Sequence, residues 1–373
     1  MTSVAFHIDQ LWFSVPGGIG TYVRELVPAM ERVDDPRALT LFRSRWSGGG
    51  PPAEWLEGRR VVSLRGTMRS LYPRWDLFGR PRLPVHLAAC EVVHATNPAA
   101  IAPAGPAQGL VVTVHDLAFE HFPRLFPRRW RWLYRAGLKA TVNRADAILT
   151  PSQATADDLL SRTKADPAKV HVIPLAASLP TAGSDPLPIL RRMAIEGPYV
   201  LFVGTLEPRK NLVLLLRAYR DAVAAGIPHS LVLAGAVGWQ SAELEAELAK
   251  RGPGTIVRTG PLVEDELDAV YRGAAAFVYP SLYEGFGLPV VEAMARGVPT
   301  ITSNVSSLPE VAGSAGYLVD PSSQEDLAVA IERVLGDEAL AGDMRREGPK
   351  QAAQFSWDET ALATIAVYRK IAS

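Results

Sequence analysis

YVLFVGTLEPRKNLVLLLRAY, Tyr199 to Tyr219, opens with a short apolar run, breaks at Gly204 and Thr205, and resumes with Leu212, Leu215, Leu216 and Tyr219 at helical spacing. A continuous apolar run of that length fits a strand buried on both faces, and the apolar stripe after it fits a helix covering the sheet. Strand, turn, helix is the repeating unit of a parallel α/β sheet.

The unit recurs in both directions. Upstream stand VAFHI, LTLF, RVVSL, EVVHA, LVVTVH, AILTPS and VHVIPL; the second series runs YVLFVG, SLVLAG, TIVRTG, AFVYPS, PTITS and GYLVD. Between them lies AASLPTAGSDPLPILRRMAIEGP, Ala176 to Pro198, rich in Pro, Gly and Ser and read as a linker. A single sheet of more than a dozen strands is rarer than two sheets of ordinary size, and 373 residues suffice for two cores. The expectation is two doubly wound, Rossmann-like α/β domains, 1–178 and 179–354, facing across a cleft. A last helix over 355–371 carries Trp357, Leu362, Ile365, Val367 and Tyr368 as its apolar residues.

Composition narrows the function. Lys plus Arg equals Asp plus Glu at 39 each, so no global field favours nucleic acid or an acidic partner. The single cysteine, Cys90, excludes an internal disulfide and a cysteine-rich metal site. The N-terminus lacks signal-peptide character and no apolar run reaches the ~18 residues of a membrane span, so a soluble, cytoplasmic chain is expected.

The stretch EGFGLPVVE, Glu284 to Glu292, follows a strand and precedes the helical AMARG. Pro289 suits a first helical turn, which starts the helix near Leu288 and puts Glu292 about one turn in. Glycines ahead of a helix N-terminus leave N–H groups able to meet an anion, and carboxylates accept hydrogen bonds from paired hydroxyls. A sugar nucleotide offers both phosphate and hydroxyls; a capped turn with two solvated glutamates is the plainer alternative.

EGFGLP followed by EAMARGVP resembles the signature of glycosyltransferase family 4, retaining enzymes of GT-B architecture. The resemblance covers both halves and is densest from Tyr199 to Asp320. It implies that Glu284 and the backbone of Gly285, Phe286, Gly287 and Leu288 hold the donor sugar, and that Glu292 holds the ribose hydroxyls. It also implies that Arg209 and Lys210 neutralise the donor diphosphate; without the resemblance such a pair reads as solvated surface. Gly204, Gly235 in LAGAVGW (Leu233 to Trp239) and Leu262 in RTGPLVEDEL fall in loops similar to those around the nucleotide, and read equally as strand-to-helix turns.

In the first half, VPGGIGTYVREL puts Gly17, Gly18 and Gly20 between the first strand and first helix, with spacing unlike a dinucleotide fingerprint. By resemblance, Gly17 and Gly18 approach the diphosphate, and His115 in TVHD lies beside an outer sugar hydroxyl. Ser152 reads as an ordinary helix N-cap. There is no D-x-D triplet, so neither a metal nor another cofactor is expected.

Two stretches interleave Arg with aromatics: RGTMRSLYPRWDLFGRPRLP (65–84), with five arginines and one acid, and FPRRWRWLYRAGLK (126–139). They suit an anionic membrane surface on the inner face of the cell membrane or a lipid-linked acceptor, and equally suit helices with solvated arginines. The resemblance implies a retaining hexosyltransferase taking GDP-mannose or a UDP-hexose, with mannose favoured, and a glycan, glycolipid or small-molecule acceptor. A sugar-nucleotide epimerase of the same fold and a catalytically silent nucleotide-binding subunit are the alternatives.

Overall fold

The computed structural model describes residues 2–46, 48–179, 185–238 and 241–372. The chain divides into two compact units, one running to Leu175 and resuming at Ser356, the other spanning Ala176–Phe355.

The first unit is built on β1 (Val4–His7), β2 (Leu39–Arg43), β3 (Val61–Ser63), β4 (Val92–Ala95), β5 (Gly109–Thr113), β6 (Ala147–Thr150) and β7 (Val170–Val172). They form one parallel sheet in the order β3-β2-β1-β4-β5-β6-β7. The central strands β1, β4, β5 and β6 are buried at every position, as their uninterrupted apolar runs require. Cys90 is buried beside them.

The last helix, Trp357–Ala372, packs along the first, Gly17–Val33. Trp357, Ile365, Val367 and Tyr368 turn inward, but Leu362 is exposed. The helix is joined to the sheet by a buried polar chain. Tyr368 Oη meets His94 Nδ1 at 2.5 Å, His94 Nε2 meets Thr113 Oγ1 at 2.8 Å, and Thr113 Oγ1 meets the Tyr22 hydroxyl at 3.1 Å.

The second unit holds β8 (Tyr199–Val203), β9 (Ser230–Ala234), β10 (Ile256–Gly260), β11 (Ala276–Tyr279), β12 (Thr300–Ser303) and β13 (Tyr317–Val319). Their parallel order is β10-β9-β8-β11-β12-β13. Both sheets therefore change direction of winding beside their first strand, at β1/β4 and at β8/β11. The carboxyl ends of strands at such a switch leave a crevice that no crossover helix fills.

Two local expectations are corrected. The Ala176–Pro198 stretch is not all linker: Pro186–Arg192 is a helix, its first turn capped by Asp185, whose side chain accepts from the Leu187 N–H. Residues 180–184 of that stretch lie outside the described residues. Gly17, Gly18 and Gly20 do not precede the first helix but form its first turn, which the chain enters at Gly17 with φ +59 and closes by Gly20 N–H donating to the Pro16 carbonyl.

Candidate active site

The second unit gathers most of the expected residues at its β8/β11 switch. After β8 the chain turns through Gly204 and a single 3-10 turn, Pro208–Lys210, before Asn211 adopts a left-handed conformation and the helix Leu212–Ala224 begins. Arg209 and Lys210 thus occupy their own turn ahead of the helix. After β11 the chain passes Glu284 and enters the helix Leu288–Ala295, with Pro289 in its first turn and Gly287 as N-cap. Gly287 has φ +109, and a Cβ there would fall 2.8 Å from the Leu308 side chain, so the turn into this helix requires glycine.

The two turns are stitched together. Leu282 N–H donates to the Arg209 carbonyl at 2.9 Å, and Arg209 Nη1 donates to the Tyr283 carbonyl at 2.7 Å. Ser306 and Ser307 hold the glutamate turn from the other side: Glu284 N–H donates to Ser306 Oγ, and Ser307 Oγ donates to the carbonyls of Glu284 and Phe286.

Within this frame Glu284 pairs with both cations. Its Oε1 lies 2.5 Å from Lys210 Nζ, and its Oε2 lies 2.9 Å from Arg209 Nη1. Arg209 also reaches Glu207 Oε1 at 2.9 Å. Tyr279, stacked between Phe202 and Phe277, accepts from Lys210 Nζ at 2.5 Å and donates to Glu284 Oε1 at 3.1 Å. Burial alone would raise the Glu284 carboxyl, but Arg209 and Lys210 overcome it and bring the pKa to about 2. For Lys210 the balance is opposite: burial, then the neighbouring Arg209, lowers its pKa despite Glu284. Glu207 and Tyr279 were not singled out from sequence; Tyr279 reads there as one more strand residue. Ser306 and Ser307 had a weak signal, two serines just before a helix-forming LPEVA.

Glu292 sits one turn into its helix, buried, and its Oε2 accepts from the Tyr271 hydroxyl at 3.0 Å. Glu284 and Glu292 therefore face different partners from one short segment. Gly204 and Gly235 meet directly: Gly204 N–H donates to the Ala234 carbonyl, and a Cβ on Gly235 would lie 2.0 Å from the Gly204 carbonyl oxygen. Leu262 follows β10 and is half-buried. Trp239, of the expected loop that holds Gly235, lies outside the described residues.

In the first unit the end of β1 is tied to the end of β5. Thr96 Oγ1 donates to the His7 carbonyl, and the Thr96 carbonyl receives His115 Nε2 at 3.0 Å. A carbonyl only accepts, so His115 carries its proton on Nε2 and presents Nδ1 as the acceptor. Its ring is shielded edge-on by Tyr22 at 4.8 Å, although part of the residue reaches the surface. Burial lowers its pKa to about 4, against a smaller upward pull from Asp116, so the imidazole is neutral near pH 7. Tyr22 belongs to the helix that begins with Gly17 and Gly18, which places that helix beside His115. Ser152 is an N-cap, its Oγ accepting from Thr155 N–H at 3.1 Å.

The two basic stretches form helices, Met68–Phe78 and Arg128–Arg144, that pack on each other. Leu77, Phe78 and Trp132 remain exposed at 50, 71 and 48 %. An open surface cavity of about 710 Å³ is lined by Arg74, Phe78, Arg80, Pro81 and Arg82. No helix among the described residues is long and apolar enough to cross a membrane.

Comparison with known proteins places this geometry. Residues 16–179 match Glycosyltransferase Family 4 and residues 193–351 match Glycosyl transferases group 1. Among curated relatives, O-antigen chain mannosyltransferase B of Escherichia coli is 35% identical over 268 residues, covering 69% of this chain and 70% of that protein. Serotype-specific mannosyltransferase WbdA of Escherichia coli is 32% identical over 242 residues, 62% of this chain but only 30% of WbdA. Among solved structures, Anabaena Alr3699/HepE in complex with UDP-glucose superposes with a TM-score of 0.75 at 16% identity, over 99% of this chain and 100% of that one. The fold is that of the GT-B glycosyltransferases. The chain belongs to the glycosyltransferase group 1 and family 4 lineage, and is a glycosyltransferase.

Proposed function

We propose that the protein is a retaining hexosyltransferase that moves a sugar, mannose in the favoured reading, from a nucleoside diphosphate donor to an acceptor hydroxyl. The observation that carries this is the meeting of Arg209, Lys210 and Glu284 at the β8/β11 switch, two cations and a carboxylate drawn from separate turns into one cluster. Arg209 and Lys210 are the groups to take up charge on the departing diphosphate, with the N-terminal turn of Leu288–Ala295 adding backbone dipoles. Glu284 and the Gly285–Leu288 backbone receive the sugar, Glu292 the ribose hydroxyls, and Gly204, Gly235 and Leu262 the rest of the nucleotide. His115, neutral with Nδ1 as acceptor, meets a sugar hydroxyl, and the Gly17–Gly18 turn approaches the diphosphate.

Mannose is favoured because the matched Escherichia coli relatives are named as mannosyltransferases. The absence of a D-x-D triplet supports turnover without a metal. The exposed Leu77, Phe78 and Trp132 among arginines support peripheral contact with an anionic membrane that carries a lipid-linked acceptor.

The test is to incubate the protein with GDP-mannose and a panel of UDP-hexoses, with and without saccharide and lipid-linked acceptors and in EDTA, reading the anomeric configuration of any product by NMR. Transfer of mannose with retention, undiminished by EDTA, is expected. An epimerised sugar formed without an acceptor would instead identify an epimerase, and an inverted linkage would refute retention.

A further inference from the structure

The cations proposed to receive the diphosphate are already occupied. Lys210 and Glu284 side chains are only 8 and 9 % exposed, and Arg209 15 %. Glu284 gives one carboxylate oxygen to each cation, and Glu207 takes Arg209 as well. A diphosphate that reaches Arg209 and Lys210 therefore meets a resident anion.

We propose that Glu284 is an internal counter-anion: the donor's diphosphate displaces it from Arg209 and Lys210, the freed carboxylate takes the sugar hydroxyls, and its return to the cations expels the nucleoside diphosphate product. This rests on the reading of Arg209 and Lys210 as the diphosphate site.

Lone pairs favour the exchange. A carboxylate has about four acceptor sites. Here Lys210 and Tyr279 use Oε1 and Arg209 uses Oε2, so sugar hydroxyls and cations draw on the same oxygens. Charge points the same way. Glu207 and Glu284 already neutralise Arg209 and Lys210, and an added diphosphate makes the cluster strongly anionic unless a carboxylate moves off. Two cations this buried are nevertheless costly without an anion, which Glu284 supplies. Its pKa of about 2 keeps it charged throughout the neutral range, so the exchange is of one anion for another and not a protonation switch.

Lys210 has a support that survives the exchange. Its Nζ donates to the Tyr279 hydroxyl and stands 4.9 Å from the centre of that ring, so the ammonium stays placed when the carboxylate departs.

Calorimetry and stopped-flow release with GDP, UDP, GMP and UMP test the proposal on the wild type, Glu284→Gln and Arg209→Ala. Glu284→Gln is expected to bind the preferred nucleoside diphosphate roughly tenfold more tightly and release it more slowly, the size expected for removing one like charge from a partly shielded site. Turnover should fall, and monophosphate affinity should not change. Unchanged or weaker diphosphate affinity, or equal tightening of the monophosphate, overturns the counter-anion. If Arg209→Ala binds diphosphate as the wild type does, or the wild type binds neither diphosphate, the phosphate reading itself fails. Should Glu284→Gln not fold, Glu284→Asp, with its carboxylate drawn back from Lys210, must show the same tightening at smaller size or the proposal falls.

Discussion

The Tyr271 hydroxyl donates to Glu292 Oε2 at 3.0 Å, fixing that carboxylate oxygen from inside the second unit. If Glu292 binds ribose hydroxyls, Glu292→Ala weakens intact donor and free nucleoside diphosphate alike, and Tyr271→Phe does so to a lesser degree, by about 1 kcal/mol, the net worth of one hydrogen bond. Calorimetry in which both variants bind nucleotide as the wild type does would remove Glu292 from the ribose.

Arg209→Ala and Lys210→Ala should each cost kcat more than KM, by about two to three decades, because the interaction strengthens as charge develops on the leaving group. The double variant loses less than the product of the singles, since both serve one diphosphate. Sequence alone suggests that both variants fold normally. Burial changes that for Lys210, whose loss leaves the Glu284 carboxylate short of one partner at a site only 9 % exposed. A cost of about 3 kcal/mol follows for a broken buried pair. Rates normalised to the folded fraction, with stability from urea unfolding, separate the two effects; near-wild-type kcat in a folded variant would return the pair to a structural role.

Gly235 has φ +143 and faces the Gly204 carbonyl oxygen at 2.0 Å from where a Cβ would stand. Gly235→Ala should destabilise by at least about 2 kcal/mol, combining an unfavourable backbone region with a contact that only backbone movement can relieve. Unfolding at the wild-type midpoint would show that the two strand ends can part freely.

His115 is expected to stay neutral down to about pH 4. Its folded pKa lies below the ordinary 6.5, so the unfolded chain takes the proton first and this residue's contribution to stability is lost as pH falls from 6.5 toward 4. Between pH 7.5 and pH 5 the wild type should therefore lose more stability than His115→Asn. An NMR titration of the ring with a midpoint above 6 would contradict both statements.

The fold was legible because strands in these sheets are buried on both faces, so they read as short, mostly apolar runs such as VAFHI and YVLFVG that recur between helical segments. The helix Pro186–Arg192 was not, since seven residues hold too little of a period to stand out from Pro and Gly neighbours. The start of the first helix was misplaced because glycine disfavours helix interiors, a weak preference that Pro16 and the Gly20 hydrogen bond override. At the candidate site, residue types were readable but their pairing was not. Lys210 and Glu284 are brought together only by the adjacency of β8 and β11, and Tyr279 gains its polar partners from the same event.

The buried chain from Tyr368 through His94 and Thr113 to Tyr22 makes the final helix part of the first unit's core. During synthesis, that core lacks its Trp357–Ala372 layer until the whole second unit has been translated, a wait of roughly 10 to 40 s at ordinary ribosome speeds. The second unit, contiguous in sequence, is complete before the first gains the helix that covers Gly17–Val33.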